Sequence, residues 1–176
     1  MSTQNFTITE AEAGDAAGIT GVQRDVWLDT YVNEEHGITT EDIAVRFKDP
    51  EKVNRWKKTI VEKKTTCKIL VAKDEGTVVG FCIVVKGGTT NKLGAVYLLP
   101  TYQGKGLGKK LITQTLDWLG NKKDITVDVV AYNKKAIQVY EHLGFTMVGP
   151  TPAQDVATLA SGKIMPEVRM VKRAQK

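Results

Sequence analysis

The sequence predicts a single α/β domain in which helices cover the faces of a mixed β-sheet. Strand-like and helix-like stretches alternate along the chain, beginning with a strand and ending with two strands. The chain has 176 residues, of which 41% are hydrophobic and 26% are charged, as in ordinary globular proteins. Because roughly 100–200 residues make one domain and no linker or repeat interrupts the pattern, residues 1–176 are assigned to one domain.

The first half of the chain is predicted to form a short strand, two helical regions and a hairpin. Apolar and polar residues alternate over residues 6–9, whereas residues 15–31 carry apolar side chains at helical spacing. A second helical region, residues 41–64, is broken at Pro50. Asp74-Glu75-Gly76 then predicts the turn of a hairpin, whose strands occupy residues 68–72 and 78–85.

The second half of the chain alternates strands with helices. Pro100 ends a predicted strand at residues 93–99, and a Gly-rich stretch then opens a helix at residues 106–119. After a strand at residues 125–130, a short helix ends at Gly144, a typical C-terminal cap. This helix is predicted at residues 134–142, and two late strands are predicted at residues 145–148 and 168–171.

The composition excludes several classes of protein. Cys67 and Cys82 are too few for a disulfide framework or a four-ligand zinc site, and both are predicted to be buried in strands. The N-terminal residues 1–5 lack the features of a secretory signal, and no apolar run is long enough to span a membrane. We therefore expect a cytoplasmic protein that binds no metal and no membrane.

The basic balance suggests an anionic partner. Lysine and arginine number 25 against 20 acidic residues, a formal net charge of +5. This balance admits nucleic acid, an anionic membrane surface or a polyanionic small molecule. Because the lysines are scattered and no aromatic residues are interleaved with them, nucleic acid is not the expected partner.

The densest chemical signal is Gln103-Gly104-Lys105-Gly106-Leu107-Gly108-Lys109, between a predicted strand and a predicted helix. A helix start presents unpaired N–H groups, and glycine lets that backbone approach an anion closely. The dinucleotide fingerprint and the nucleoside triphosphate loop both fail, because Lys109 and Lys110 stand where those motifs need glycine and serine or threonine. The segment predicts a phosphate site of another kind.

Two segments in the right order resemble the GNAT superfamily of N-acetyltransferases. The first is Val96-Tyr97-Leu98-Leu99-Pro100 followed by Gln103-x-x-Gly106-x-Gly108, and the second is Asn133-x-x-Ala136-x-x-x-Tyr140-x-x-x-Gly144-Phe145. The resemblance implies a GNAT-like fold, with a mostly antiparallel sheet splayed in the middle. It also implies an acetyl-CoA-dependent acyltransferase without a metal. Dimers are common in the superfamily, so a homodimer is one of the oligomeric states that the sequence leaves open.

The resemblance further implies how acetyl-CoA is bound. Main-chain N–H groups of the Gly-rich turn hold the pyrophosphate, and the pantetheine arm pairs like a strand with the preceding β-strand. The implied cofactor-binding residues are Val96, Tyr97, Leu98, Gln103, Gly104, Lys105, Gly106, Leu107, Gly108, Lys109 and Asn133.

The resemblance assigns catalytic roles as well. Tyr140 lies on the same helical face as Asn133, and in the family this tyrosine protonates the departing sulfur, while a backbone N–H near Leu98 stabilises the oxyanion. An amine with a pKa of about 10.4 must lose a proton before it attacks. Many family members carry a glutamate before the Gly-rich turn, but residues 93–97 offer no carboxylate. Asp128 is the candidate base, by its similarity to a Leu-Glu-Val segment of N-terminal-amine acetyltransferases, and a water chain is the alternative.

The acceptor side is expected in the first two helices, where residues 27–39 resemble relatives of the polyamine acetyltransferases. Trp27 and Tyr31 would line a channel, and Glu34, together with Asp29 and Glu35, would attract a cationic amine. His36 is predicted to be solvated, and His142 to be a favourable charge at a helix end. The acceptor stays open between a small amine and a protein N-terminal or lysine amine. A non-catalytic acyl-CoA sensor is a further alternative, which the missing strand carboxylate favours and Tyr140 disfavours.

Overall fold

The computed structural model describes residues 6–62 and 65–175. Its strands are β1 (Thr7–Glu10), β2 (Cys67–Asp74), β3 (Thr77–Val85), β4 (Asn91–Leu98), β5 (Ile125–Val130), β6 (Thr146–Pro150) and β7 (Glu167–Lys172). Its α-helices are α1 (Ala16–Thr30), α2 (Thr40–Ala44), α3 (Lys52–Glu62), α4 (Leu107–Leu119) and α5 (Lys134–His142).

The predicted order of strands and helices is confirmed, with one refinement in the second helical region. That region divides into α2, a short 3-10 turn at Val45–Phe47 and then α3. Pro50 lies in the break, where its missing N–H and its ring would interrupt a continuous helix. Residues 63–64 at the end of that prediction, and the N-terminal residues 1–5, lie outside the described residues.

The seven strands form one sheet in the order β1-β2-β3-β4-β5-β7-β6. Every neighbouring pair is antiparallel except β4 and β5, which run parallel. The parallel pair has a register of two residue pairs, Asn91 with Ile125 and Lys92 with Thr126. Beyond those pairs the two strands diverge, which confirms the predicted splay. We call the space between residues 93–98 and 127–130 the β4–β5 gap.

Helices cover both faces of the sheet. On the α4 face, side chains of α4 and α5 pack on Val127, Val129 and Met170. On the opposite α1 face, α1 and α3 pack on β2 and β3 around Phe81. A third apolar cluster, near the β4–β5 gap on the α1 face, joins the C-terminal end of α1 to Val130 and the loop before β7. The gap is therefore walled by side chains from both layers.

Gly80 in β3 fixes how closely β4 can lie beside it. Gly80 pairs with Leu98, and a Cβ added to Gly80 would stand 2.5 Å from Leu98 Cδ1 and 2.9 Å from the Tyr97 carbonyl oxygen. Real Cβ atoms do not approach backbone this closely, so β4 would have to move. The position of β4 at the open end of the gap depends on this glycine.

We predict that Gly80→Ala lowers the free energy of unfolding by about 1–3 kcal/mol, the usual cost of overpacking. Urea denaturation followed by circular dichroism measures it. Gly21→Ala in α1 is the matched control, because no atom lies within 4 Å of the added Cβ, and alanine raises helix stability by up to about 1 kcal/mol. Equal unfolding midpoints for the two variants would contradict the prediction.

Candidate functional site

The Gly-rich turn lies directly at the N-terminus of α4, as predicted. Gly106 is the N-cap residue, with φ of 77° and no side chain to cap the helix, and Gly104 has φ of 75°. No atom lies within 4 Å of a Cβ built on either glycine. The first N–H groups of α4 therefore face an open approach lined by the exposed Lys105 and Lys109. This arrangement fits a diphosphate.

Gln103 ties this turn to the end of β4. Its Nε2 donates a hydrogen bond of 2.9 Å to the Leu98 carbonyl oxygen. The next residue, Leu99, donates its N–H to Val79 on the β3 side. Because main-chain groups of successive strand residues point to opposite edges, the N–H groups of Leu98 and Val96 point into the β4–β5 gap. They are positioned to pair with an extended ligand and to donate to an oxyanion.

Tyr140 reaches the gap from the α4 face. Its helix, α5, is capped by Asn133, whose Oδ1 accepts a 3.2 Å hydrogen bond from the Ala136 N–H. The Tyr140 side chain is only 7% exposed. Burial raises the pKa of Tyr140 well above its usual value, and the neighbouring Cys82 and Tyr97 raise it further. The phenol therefore keeps its proton over the whole physiological pH range.

Aromatic side chains line the gap from the α1 face. The rings of Trp27 and Tyr31 meet edge to face at 5.1 Å, and Tyr97 packs beside them. Burial raises the pKa of Tyr31, as does its neighbour Tyr97. The Trp27 indole N–H is buried, and its interaction with the Tyr97 hydroxyl lowers the pKa of Tyr97, although the raising effect of burial is larger. Two of the predicted acceptor residues thus come together at the gap.

The predicted acidic residues of the acceptor side lie elsewhere. Glu34, with Asp29 and Glu35, is exposed, whereas Trp27 and Tyr31 are buried. His36 is exposed, as predicted, and stacks on Tyr132 with ring centroids 5.0 Å apart. Asp29 lies on an exposed position of α1, and Glu34 and Glu35 lie in the segment that bends back through the Asn33–Ile38 bridge.

Arg46 is a neighbour that the sequence analysis missed. Its guanidinium carbon stands 4.6 Å above the centroid of the Trp27 ring. The Arg46 charge also lowers the pKa of Tyr97, although the raising effect of burial there is larger. Arg46 belongs to the 3-10 turn that follows α2, and no spacing in the sequence pairs it with Trp27.

Asp128 lies at the closed end of the gap in a network of ion pairs. Arg169 donates to both carboxylate oxygens, at 2.7 and 3.0 Å, Lys92 Nζ lies 3.0 Å away, and Thr151 Oγ1 donates at 3.1 Å. The side chain is 8% exposed. Burial opposes ionisation, but the hydrogen bonds from Arg169 and Lys92 outweigh it, and the pKa of Asp128 lies below its usual value. Its role as the base stays a prediction.

Three residues outside the gap match their predicted structural roles. His142 is exposed in the last turn of α5, where Nδ1 is 2.7 Å from the Gln138 carbonyl oxygen. Cys67 and Cys82 are buried in β2 and β3. Burial raises the pKa of the Cys82 thiol to about 12, so this sulfur is not a nucleophile near neutral pH.

A model of the acetyltransferase (GNAT) family matches residues 22–145. The chain belongs to this family. Its fold matches that of PaiA N-acetyltransferase from Thermoplasma acidophilum, determined with coenzyme A. That structure has a TM-score of 0.72 and 20% identity, over 96% of this chain and 99% of that one. The structure of Salmonella typhimurium YncA with its cofactor acetyl-CoA matches with a TM-score of 0.68 and 23% identity, over 98% and 95%.

Curated relatives of this GNAT chain match over shorter segments. Escherichia coli YjgM, named an uncharacterized N-acetyltransferase, is 36% identical over 84 residues, which are 46% of each protein. An L-methionine sulfoximine/L-methionine sulfone acetyltransferase of Salmonella typhimurium is 29% identical over 91 residues, 48% of this chain and 53% of that protein. The GNAT chain thus matches about half of the length of these two relatives.

The GNAT chain shows two further features that bear on its ligands. In the described residues, 6–62 and 65–175, no helix is both long enough and apolar enough to cross a membrane. The same residues contain no group of three or more His, Cys, Asp or Glu side chains arranged to hold a metal ion.

We predict that Asp128→Asn lowers the free energy of unfolding by about 3 kcal/mol at pH 7, because Lys92 loses its charge partner and Arg169 keeps only the exposed Asp155. A carboxylate with a depressed pKa stabilises the fold above its unfolded pKa of about 3.9 and loses this effect as pH falls. The difference from the wild type should therefore shrink below about pH 4. Denaturant titrations from pH 3 to 8 measure it.

Asp155→Asn is the control for this prediction. Asp155 also accepts from Arg169, at 2.8 Å, but its side chain is 38% exposed, so its loss should change stability by less than about 1 kcal/mol. If both substitutions lowered the free energy of unfolding equally, Asp128 would not be the main charge partner in this network.

Proposed function

We propose that this protein is an acetyl-CoA-dependent N-acetyltransferase that transfers the acetyl group directly to a small primary amine. The observation that carries the proposal is the β4–β5 gap with the glycine-rich start of α4 at its open end. Tyr140 reaches this gap from one face of the sheet, and Trp27 and Tyr31 reach it from the other. A binding site for a long phosphate-bearing thioester therefore meets a second, aromatic site for the acceptor.

The chain's own residues divide the work of binding acetyl-CoA. The N–H groups from Gly104 to Lys109 hold the diphosphate, and Lys105 and Lys109 add positive charge. The strand edge at Val96, Tyr97 and Leu98 pairs with the pantetheine amides. Gln103 acts as a positioning residue, because its bond to Leu98 holds the turn against β4. Asn133 caps α5 and so orients Tyr140 toward the gap.

In the proposed reaction the Leu98 N–H donates to the developing oxyanion, and Tyr140 acts as the acid at the sulfur. The pKa of Tyr140 lies above the value of about 8.5 for a thiol, so complete proton transfer from the phenol to a thiolate is uphill. Tyr140 therefore stabilises the leaving sulfur mainly by hydrogen bonding. Asp128, the base suggested by the sequence, is a weak base, because Arg169 and Lys92 already bind its oxygens.

The acceptor is proposed to be a small monoamine. A polyamine is the acceptor suggested by the resemblance of residues 27–39, but Arg46 lies over Trp27 at the aromatic site and would repel a second ammonium group. A protein terminus or lysine is the alternative acceptor. Measuring the rate of thiol release from acetyl-CoA in the presence of a panel of amines tests these choices. A non-catalytic sensor would bind acetyl-CoA but release no thiol with any amine. The panel contains short monoamines, amino acids, spermidine and a lysine peptide.

We predict that Gly106→Ala weakens coenzyme A binding by at least about tenfold, since the added Cβ stands where the diphosphate must approach the helix. Calorimetry with coenzyme A measures the affinity. Gly162→Ala is the matched control, because Gly162 also has a positive φ, 82°, and open space around it. Both variants should lose about 1–2 kcal/mol of stability from backbone strain. Unchanged affinity in Gly106→Ala would remove the turn from the binding site.

We predict that Tyr140→Phe lowers kcat by about 10²–10³-fold with little change in the KM for acetyl-CoA, because the hydroxyl acts on the leaving sulfur alone. Steady-state kinetics with the best amine of the panel measure both constants. Tyr102→Phe is the control, since the Tyr102 hydroxyl bonds to Asp74, at 2.9 Å, away from the gap. A kcat that is equal in the two variants would exclude Tyr140 as the acid.

A further inference from the structure

Glu167, the first residue of β7, projects toward the aromatic side of the gap. It pairs with Val130 at the C-terminal end of β5. Val168 and Met170 pack against the α4 face, so the alternation along β7 directs Glu167 and Arg169 to the α1 face. The aromatic cluster of Trp27 and Tyr31 lies on that same face, also in contact with Val130.

The surroundings of Glu167 are those of a partly buried carboxylate held in place. Its side chain is half-buried, and the Ala157 N–H donates a hydrogen bond to it. Its charge acts on both gap-lining phenols, where it raises the pKa of Tyr31 and Tyr97. Glu167 thus lies near the aromatic acceptor side, whereas Tyr140 comes from the opposite face of the sheet.

Glu167 differs from Asp128 in what its oxygens already bind. Asp128 accepts from Arg169, Lys92 and Thr151, so its oxygens are already occupied at the closed end of the gap. Glu167 forms no ion pair within 4 Å in the described residues. Burial and the nearby Asp128 charge raise the pKa of Glu167. A carboxylate with a raised pKa is a stronger base than one with a lowered pKa.

We propose that Glu167 is the general base that deprotonates the acceptor ammonium, an inference that rests on the proposed acetyl transfer. An N–H bond of the ammonium breaks, and its proton passes to a Glu167 oxygen. The freed electron pair forms the C–N bond at the thioester carbonyl carbon. As the tetrahedral intermediate collapses, the C–S bond breaks with its electrons on sulfur. The second proton that the nitrogen loses passes to that sulfur, beside Tyr140, and gives the thiol of coenzyme A. Glu167 then releases its proton to solvent.

The titratable and charged groups near Glu167 lie on β4, β5, β7 and the segment after α1. Asp128 on β5 has a lowered pKa, and Tyr31 after α1 and Tyr97 on β4 have raised ones. Arg169 on β7 stays protonated, and Lys92 on β4 reaches Asp128. Of these groups, Glu167 is the acid whose pKa is shifted upward toward neutrality.

The test is the pH dependence of kcat/KM for the best amine of the panel in wild type and Glu167→Gln. In the wild type, where Glu167 is the base, kcat/KM for the amine should rise as pH increases through the pKa of Glu167 and should be constant above it. Without it only the neutral amine reacts, so the variant should rise about tenfold per pH unit toward the amine pKa of about 10.4. At pH 7 the variant should be about 10²–10⁴-fold slower, and the ratio should shrink at high pH.

Three controls separate catalysis from structure. Glu167→Asp should restore part of the rate and the level profile. Asp124→Asn, which removes a carboxylate that pairs with Arg173 at 2.7 Å, should keep the wild-type profile. Calorimetry should give the same coenzyme A affinity for wild type and Glu167→Gln, because Glu167 lies on the acceptor side.

Each other outcome overturns the proposal. A Glu167→Gln variant that keeps the wild-type profile, or that loses the same factor at pH 7 and pH 9.5, has not lost a base. If Glu167→Gln no longer binds coenzyme A, Glu167 has a structural role in the fold, and this result also contradicts its proposed role as the base. A wild-type protein that binds acetyl-CoA and acetylates no amine of the panel overturns the proposed function itself, a result distinct from an active wild type with an unchanged variant.

Discussion

The short parallel contact between β4 and β5 is the constraint on which the rest of the molecule depends. Two residue pairs join the strands, and the remaining edges face each other across a gap. Main-chain N–H and C=O groups need hydrogen-bond partners, and an extended ligand with amide groups supplies them in the same way as a further strand would. Without such a ligand, the facing edges of β4 and β5 would lose the hydrogen bonds of strand pairing and gain none in exchange. The divergence also brings the N-terminus of α4 to the wide end of the gap, so that one topological feature creates both the groove and its phosphate site.

The ion pairs at Asp128 lie where the gap begins. Lys92 belongs to the last pair between β4 and β5, and its ammonium bonds to Asp128 two residues further along the neighbouring strand. Arg169 extends the same network to β7, and its second bond, to Asp155, holds the loop before β7. This loop supplies the Ala157 N–H that binds Glu167. The network therefore links the closed end of the gap to the position of the proposed base, and Asp128 acts there as a positioning residue through Arg169.

Local sequence patterns predicted the strands, the glycine-rich turn and the helix of Tyr140, because each depends on residues that are close in the chain. Glycines at a helix start and apolar residues at helical spacing carry their structure with them. The partners of Asp128 could not be predicted in this way. Arg169 is 41 residues away, and only the antiparallel register of β5 with β7 brings the two together. The same holds for Arg46 over Trp27 and for Glu167 beside Tyr31. Sequence alone identified Asp128 as a candidate carboxylate on β5, but the strand register decides which groups its oxygens bind.

In the proposed reaction, the group that acts on the sulfur and the group that acts on the amine come from opposite faces of the sheet. Tyr140 and Glu167 start from opposite layers and approach the gap from opposite sides, so the attacking nitrogen and the leaving sulfur need not compete for one group. Burial acts on both side chains by the same physical rule, since it disfavours the charged form of each. For Tyr140, burial keeps the phenol protonated, so that its hydroxyl can donate a hydrogen bond to the leaving sulfur. For Glu167, burial increases the affinity for the proton that the amine must lose. The ion-paired Asp128 stays charged at the closed end of the gap, because the hydrogen bonds from Arg169 and Lys92 outweigh the effect of burial.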